Sequence, residues 1–180
     1  MSELKGQLTL EYLISFVVFI GLVVYIYLLY SKNIPSFVQE VEKEEVRSKV
    51  YQLSELLIND PGEPDDWDVN PPIERIGLSD QNTNKPNLIS KSKIDKLNNT
   101  FDCSVDAEYD ELQDLFALNR QFSINISDID QTNGQRTELF VCMPRPGRIR
   151  RTGIESKVTR ITAYNDSGDI KLAEVIVKVW

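Results

Sequence analysis

The chain has 180 residues, of which 28 are Asp or Glu and 20 are Lys or Arg, for a formal net charge of −8. So acidic a balance argues against a nucleic-acid binder, which needs a basic surface. Histidine is absent, which removes the commonest general base and transition-metal ligand, and the length allows one membrane helix plus one domain of about 120 residues.

Residues 1–6, MSELKG, form a short leader with one acid, Glu3, and one base, Lys5. An apolar run follows. From Tyr12 to Tyr30 it carries no charge and is interrupted only by Ser15 and Gly21. As a helix, about 19 residues at 1.5 Å each reach roughly 28 Å, close to the ~30 Å hydrocarbon layer of a bilayer. The run is longer than the core of a secretory signal, and no small-x-small cleavage site follows Tyr30. A retained span over 7–31 is therefore expected, with any cleavage falling in the leader before it.

Asn33-Ile34-Pro35 predicts a kink or short break. Helical periodicity resumes over residues 32–59, where Val46, Val50, Leu53 and Leu57 share one face. Asn59-Asp60-Pro61-Gly62 is a strong stop. Residues 60–100 read as an ordered, irregular connector anchored by Trp67, Ile73, Ile76 and Leu78, with a short helix over Leu88–Leu97. A better helix is expected over Tyr109–Leu118.

The remainder reads as strands. Phe122, Ile124 and Ile126 alternate with Gln121, Ser123, Asn125 and Ser127; Asn133-Gly134 marks a turn and Glu138–Met143 returns as the partner. Lys157–Tyr164 and Ile170–Trp180 form a second hairpin around NDSGD. Ala173, Val175, Val177 and Val179 face one way. The fold expected is α+β: a long amino-terminal helix, first transmembrane and then amphipathic, carrying a carboxy-terminal antiparallel sheet as a head over residues 60–180.

Several residues carry candidate chemistry. Glu11 stands just before the apolar run, where a buried acid is costly and needs a partner. It serves either as an interfacial residue of an ordinary signal anchor or as one half of a charge pair. Cleavage after Gly6 would create the second half, the α-amino group of Gln7, one helical turn from Glu11. Pairing between neighbouring helices would then set stoichiometry and axial register, because an unpaired buried charge costs several kcal/mol.

Cys103 and Cys142 close a loop of about 40 residues, worth on the order of 4 kcal/mol as a disulfide. Export favours the bridge over two separate thiols. Asn98, Asn125 and Asn165 each begin an N-x-Ser/Thr glycosylation sequon; Asn125 is expected to face outward on its strand and Asn165 to lie at a turn. Arg145, Arg148, Arg150 and Arg151 make a basic loop suited either to an anion or to pairing with acids on this or a neighbouring subunit. Asp128, Asp130 and Asn133 fail the spacing of a calcium loop, so a polar turn is expected. No nucleophile with a base, phosphate-binding loop or metal-ligand cluster stands out. The reading is a non-enzyme without a cofactor, metal or nucleic-acid partner.

The stretch Lys5-Gly6-Gln7-Leu8-Thr9-Leu10-Glu11-Tyr12-Leu13 resembles the class III signal peptide of archaeal type IV pilin-like proteins, in which a basic residue and glycine precede Q-x-S-x-E, an aromatic and leucine. Thr9 replaces the serine and keeps its hydroxyl; the leader departs further, with one lysine and the acid Glu3. The resemblance implies cleavage between Gly6 and Gln7 by a prepilin peptidase, membrane residence before assembly, and docking to other pilin subunits through Glu11 with the help of the pilus assembly machinery. It also implies a cell-surface filament with an extracellular head serving adhesion or assembly. Pro61–Trp67, Ile76–Ser79 and the Val179-Trp180 ending resemble segments of these archaeal proteins, and because the family's main filament subunits are often much smaller, the resemblance implies a larger, minor-pilin-like subunit. The alternative is a monomeric membrane-anchored extracellular domain that senses or binds a ligand.

Overall fold

A computed structural model describes residues 3–70, 72–80, 87–148 and 153–180, the side chains of residues 3–9, Asn33, Pro35 and Ser36 excepted. The chain is α+β and divides into two units, residues 1–42 and 43–180. Helix α1, Glu3–Asn59, begins in the first unit and ends in the second. The break expected at Asn33–Pro35 does not occur: the helix continues through it. Proline removes one intrahelical hydrogen bond, and the helical turns on either side of that gap carry the segment through it.

In the first unit every described side chain from Leu10 to Val41 is exposed. In the second unit, Val46, Val50, Leu53 and Leu57 are buried, as their spacing of four, three and four predicts. They join one apolar cluster with the head.

Past α1, a two-residue strand β1 (Gly62–Glu63) pairs antiparallel with β2 (Arg75–Ile76). Then come β3 (Leu88–Ser90), α2 (Lys91–Thr100), α3 (Asp106–Leu115), β4 (Phe122–Ile129), β5 (Arg136–Cys142), β6 (Ser156–Asp166) and β7 (Asp169–Val179). The main sheet has the order β3-β6-β7-β4-β5. All its neighbours are antiparallel except β3, which runs parallel to β6 with Leu88 opposite Ala163. The wholly antiparallel sheet expected from the sequence is therefore a mixed one. Three residues assigned from sequence to a helix, Leu88–Ser90, supply that parallel edge, and the helix begins only at Lys91. A short apolar run does not by itself distinguish strand from helix.

One face of the sheet is the core face. Phe122, Ile124 and Ile126 of β4 stand opposite Val179, Val177 and Val175 of β7, and Val158 of β6 and Cys142 of β5 extend the layer. These residues are buried together with Ile94 and Leu97 of α2 and Tyr109 and Leu112 of α3. The β6–β7 hairpin closes through Ser167 and Gly168, both at positive φ (57° and 106°), the geometry a tight two-residue hairpin needs. The β4–β5 loop closes on itself: Gly134 N–H donates to the Asp130 carbonyl at 2.8 Å, and the Asp130 carboxylate accepts from the Thr132 amide and hydroxyl. It is the expected polar turn.

The connector after α1 is stitched to the helix end. Leu78 N–H donates to the Leu57 carbonyl at 3.0 Å and Ser79 N–H to the Asp60 carbonyl at 3.1 Å, satisfying acceptors that a helix terminus leaves open. Trp67 is fully buried, and its indole N–H donates to the Gly77 carbonyl at 2.8 Å. Gly77 has no room for a side chain, since a Cβ would lie 2.1 Å from the Asp60 carbonyl oxygen. The anchors expected from sequence hold: Trp67, Ile76 and Leu78 are buried and Ile73 packs partly against the core.

Candidate assembly site

The most anomalous surface of the molecule is the amino-terminal helix. Leu10 to Tyr30 is apolar around its whole circumference, and its large side chains are 43–73% exposed, from Ile20 to Tyr12. Among the described residues this is the one helix long and apolar enough to cross a membrane. An all-round apolar helix must be covered by lipid or by other helices. At roughly 1.5–3 kcal/mol for each large side chain moved from water to an apolar setting, covering it gains on the order of tens of kcal/mol.

Glu11 is the single charge inside this surface. It is exposed and lies between exposed Leu10 and Tyr12 on continuous helix. Gly6 and Gln7 are in the helical backbone near its start, where helices fray most readily. Gln7 precedes Glu11 by four residues, one turn. Tyr12 stacks on Phe16 one turn further, with ring centroids 6.5 Å apart.

The head is held by polar contacts that its sequence does not announce. Lys93 of α2 is buried, and its ammonium donates to three backbone carbonyls: Pro61 and Asp65 at 2.7 Å and Ser79 at 3.1 Å. Burial pushes its pKa below the ordinary lysine value, against the opposing pull of Asp68, Asp65, Asp80 and Asp60. One side chain thus gathers both arms of the connector. Lys93 sits four residues before Leu97 on the inward face of α2, and that register was the available clue. A lysine in a polar stretch reads as solvated, so the clue is easily missed.

Tyr109 of α3 is the second unannounced contact. Its hydroxyl donates to the Phe122 carbonyl and accepts from the Phe122 N–H, both at 2.8 Å. The two rings stack with centroids 5.0 Å apart, and burial pushes the phenol pKa up. Arg148 lies over the Tyr109 ring, 5.4 Å from its centroid. The same guanidinium pairs with Asp110 at 2.5 Å and Asp106 at 3.5 Å, and Arg145 approaches Asp106 at 3.9 Å. The described part of the basic loop is therefore tied to acids of α3 in the same chain. Arg150 and Arg151 lie outside the described residues.

Cys103 and Cys142 are joined in a disulfide, with Cα atoms 5.2 Å apart. It ties the turn before α3 to the end of β5, as their positions in the sequence suggested. The three sequon asparagines differ in setting. Asn98 is exposed in the last turn of α2. Asn125 is half-buried in β4, paired with Val141 of β5 and Ile176 of β7, and is less outward than alternation suggested because a strand flanks it on both sides. Asn165 lies in β6 and not at the turn, since the ladder to β7 runs on to Asp166.

A polar cleft of about 450 Å³ opens beside the β4–β5 turn, lined by Asp128, Asp130, Gln135 and Lys171 among others. Much of its polarity is already committed: Asp128 accepts from the Tyr164 hydroxyl at 3.0 Å, Asp130 from Thr132, and Lys171 pairs with Asp166 at 2.6 Å. Among the described residues no group of three or more Cys, Asp or Glu side chains is placed to hold a metal ion. No family model, curated protein or solved structure matches the chain.

Proposed function

We propose that this chain is a subunit, of the minor kind, of an archaeal type IV pilus-like surface filament. Its leader is removed between Gly6 and Gln7 by a prepilin peptidase. The apolar helix holds it in the membrane as a single-pass protein with an extracellular head, then packs against the helices of other subunits as the assembly machinery extracts it. The single observation that carries this reading is the lone Glu11 within the otherwise uncharged, exposed apolar stretch Leu10–Tyr30, placed one turn after the residue that cleavage would make a cationic terminus. Lipid alone gives that acid no partner; a neighbouring subunit's new α-amino group does. The head serves adhesion or filament assembly and performs no catalysis.

Mass spectrometry of the mature amino terminus, on protein taken from native membranes or filaments, tests the reading. A terminus at Gln7 is expected. An intact Met1 or Ser2 terminus with no Gln7 species overturns it and leaves a membrane-anchored extracellular binding domain in its place.

A further inference from the structure

Three sequons in one chain invite the same modification, yet the fold treats them very differently. Glycosylation of asparagine joins the side-chain amide nitrogen to the anomeric carbon of a sugar. The donor is a sugar activated there by a phosphate leaving group, whose C–O bond breaks as the N–C bond forms; the phosphate departs with the electron pair and the amide nitrogen gives up one proton. The product needs open space beyond Nδ2, and the acceptor segment must open locally to enter a transferase.

Asn165 fails on space. Its Nδ2 donates to the Asp80 carboxylate at 2.9 Å and its Oδ1 accepts from the Gly168 N–H at 2.9 Å. Asp80 is itself buried, so a sugar on that nitrogen meets protein. The hydroxyl residue of the sequon, Ser167, is held in the tight hairpin at φ 57°. Asn125 fails on opening. It pairs with Val141 on one side and Ile176 on the other, it accepts from the Ser127 hydroxyl of its own sequon at 2.7 Å, and freeing it means parting the ladders on both sides of an interior strand.

Asn98 fails on neither count. Asn98, Asn99 and Thr100 are all exposed. They form the last turn of α2, the part of a helix that opens at least cost. The Phe101 N–H donates to the Leu97 carbonyl at 3.1 Å across this turn, so opening it breaks that bond, while the buried Phe101 ring anchors the chain beyond. Opening that turn exposes the whole sequon and leaves the inward Ile94 and Leu97 in place.

We infer that Asn98 is the N-glycan acceptor of this chain and that Asn125 and Asn165 stay unmodified. The inference rests on the extracellular head proposed above, and one digest separates the two. Trypsin releases residues 97–120, 121–136 and 161–171, each with one sequon, together with the amino-terminal peptide. On protein from native membranes, reduced before digestion, a sugar mass is expected on 97–120 alone. In an N98Q variant the intact protein should lose that whole mass increment, whereas N125Q should keep it. A sugar on 121–136 or 161–171, or an unmodified 97–120, overturns the inference. A Gln7 terminus beside an unmodified 97–120 leaves the filament reading standing, and an uncleaved terminus removes that reading whatever the glycan.

Discussion

The Tyr109 hydroxyl makes both backbone hydrogen bonds of Phe122, donating to its carbonyl and accepting from its N–H at the same 2.8 Å. Phe122 opens β4, the strand between β5 and β7, and its own side chain is fully buried against the Tyr109 ring. One side chain on α3 thereby fixes where the strand begins and joins helix to sheet. Removing the oxygen leaves a buried donor and a buried acceptor unmet, at about 1–3 kcal/mol each. Tyr109→Phe should lower stability by about 2–4 kcal/mol in a urea titration of the full chain in detergent, followed by tryptophan fluorescence. Tyr164→Phe is the contrast. Its hydroxyl donates to the partly exposed Asp128 carboxylate at 3.0 Å and leaves no backbone group unmet, so a smaller loss of about 1–2 kcal/mol is expected. Equal losses in the two variants would deny Tyr109 its special position.

Lys93 has the same character, as a charge with three carbonyl partners. Lys93→Met keeps the length of the stem and removes every donor. The carbonyls of Pro61, Asp65 and Ser79 then lose a charged hydrogen bond each, and a loss of about 3 kcal/mol or more follows. The connector should loosen first, so amide exchange at Leu78 and Ser79, whose N–H groups bond to the end of α1, should quicken more than exchange in β7. Uniform quickening across the head would argue against a local clamp.

The disulfide spans 39 positions. Closing such a loop stabilises by about 4 kcal/mol in the chain-entropy account. A Cys103→Ser, Cys142→Ser double variant should show a correspondingly lower urea midpoint and a somewhat steeper slope, because the unfolded chain freed of the cross-link exposes more surface. No change in midpoint would mean that the helix and sheet are held together without the bridge.

Ala117 follows α3 at φ 50°, where its N–H donates to Asp114 and the Leu118 N–H donates back to Gln113. Glycine is the usual residue at such a helix end. Relief of the left-handed strain, about 1 kcal/mol, outweighs the added freedom of glycine in the unfolded chain. Ala117→Gly should therefore raise the midpoint of thermal unfolding by about 1–3 °C. A lowered midpoint would mean that the alanine methyl packs usefully in the groove it lines with Leu53 and Leu56.

Glu11→Ala tests the assembly reading directly. Cleavage at Gly6 should persist, because Glu11 lies beyond the scissile bond. Incorporation into filaments should fall about tenfold or more, since a cationic terminus left without its partner in an apolar bundle costs several kcal/mol. Incorporation at the wild-type level would remove the pairing mechanism while leaving the anchor in place.

What could be read from the residues alone was local. The uncharged run from Tyr12 to Tyr30, the inward face of Val46, Val50, Leu53 and Leu57, and the alternation of Ala173, Val175, Val177 and Val179 are all written in the spacing of apolar side chains, because a helix repeats every 3.6 residues and a strand every two. Spacing names a buried face and says nothing of what lies against it. Only the tertiary structure decided that Leu88–Ser90 runs parallel to β6, 75 positions away, that Lys93 turns inward onto three carbonyls, and that Tyr109 meets Phe122. It also gave three sequons different settings: Asn98 exposed at a helix end, Asn125 half-buried between paired strands and Asn165 bonded to Asp80. Those outcomes depend on partners distant in the chain, and each is chosen among many local alternatives by the shared burial of one core.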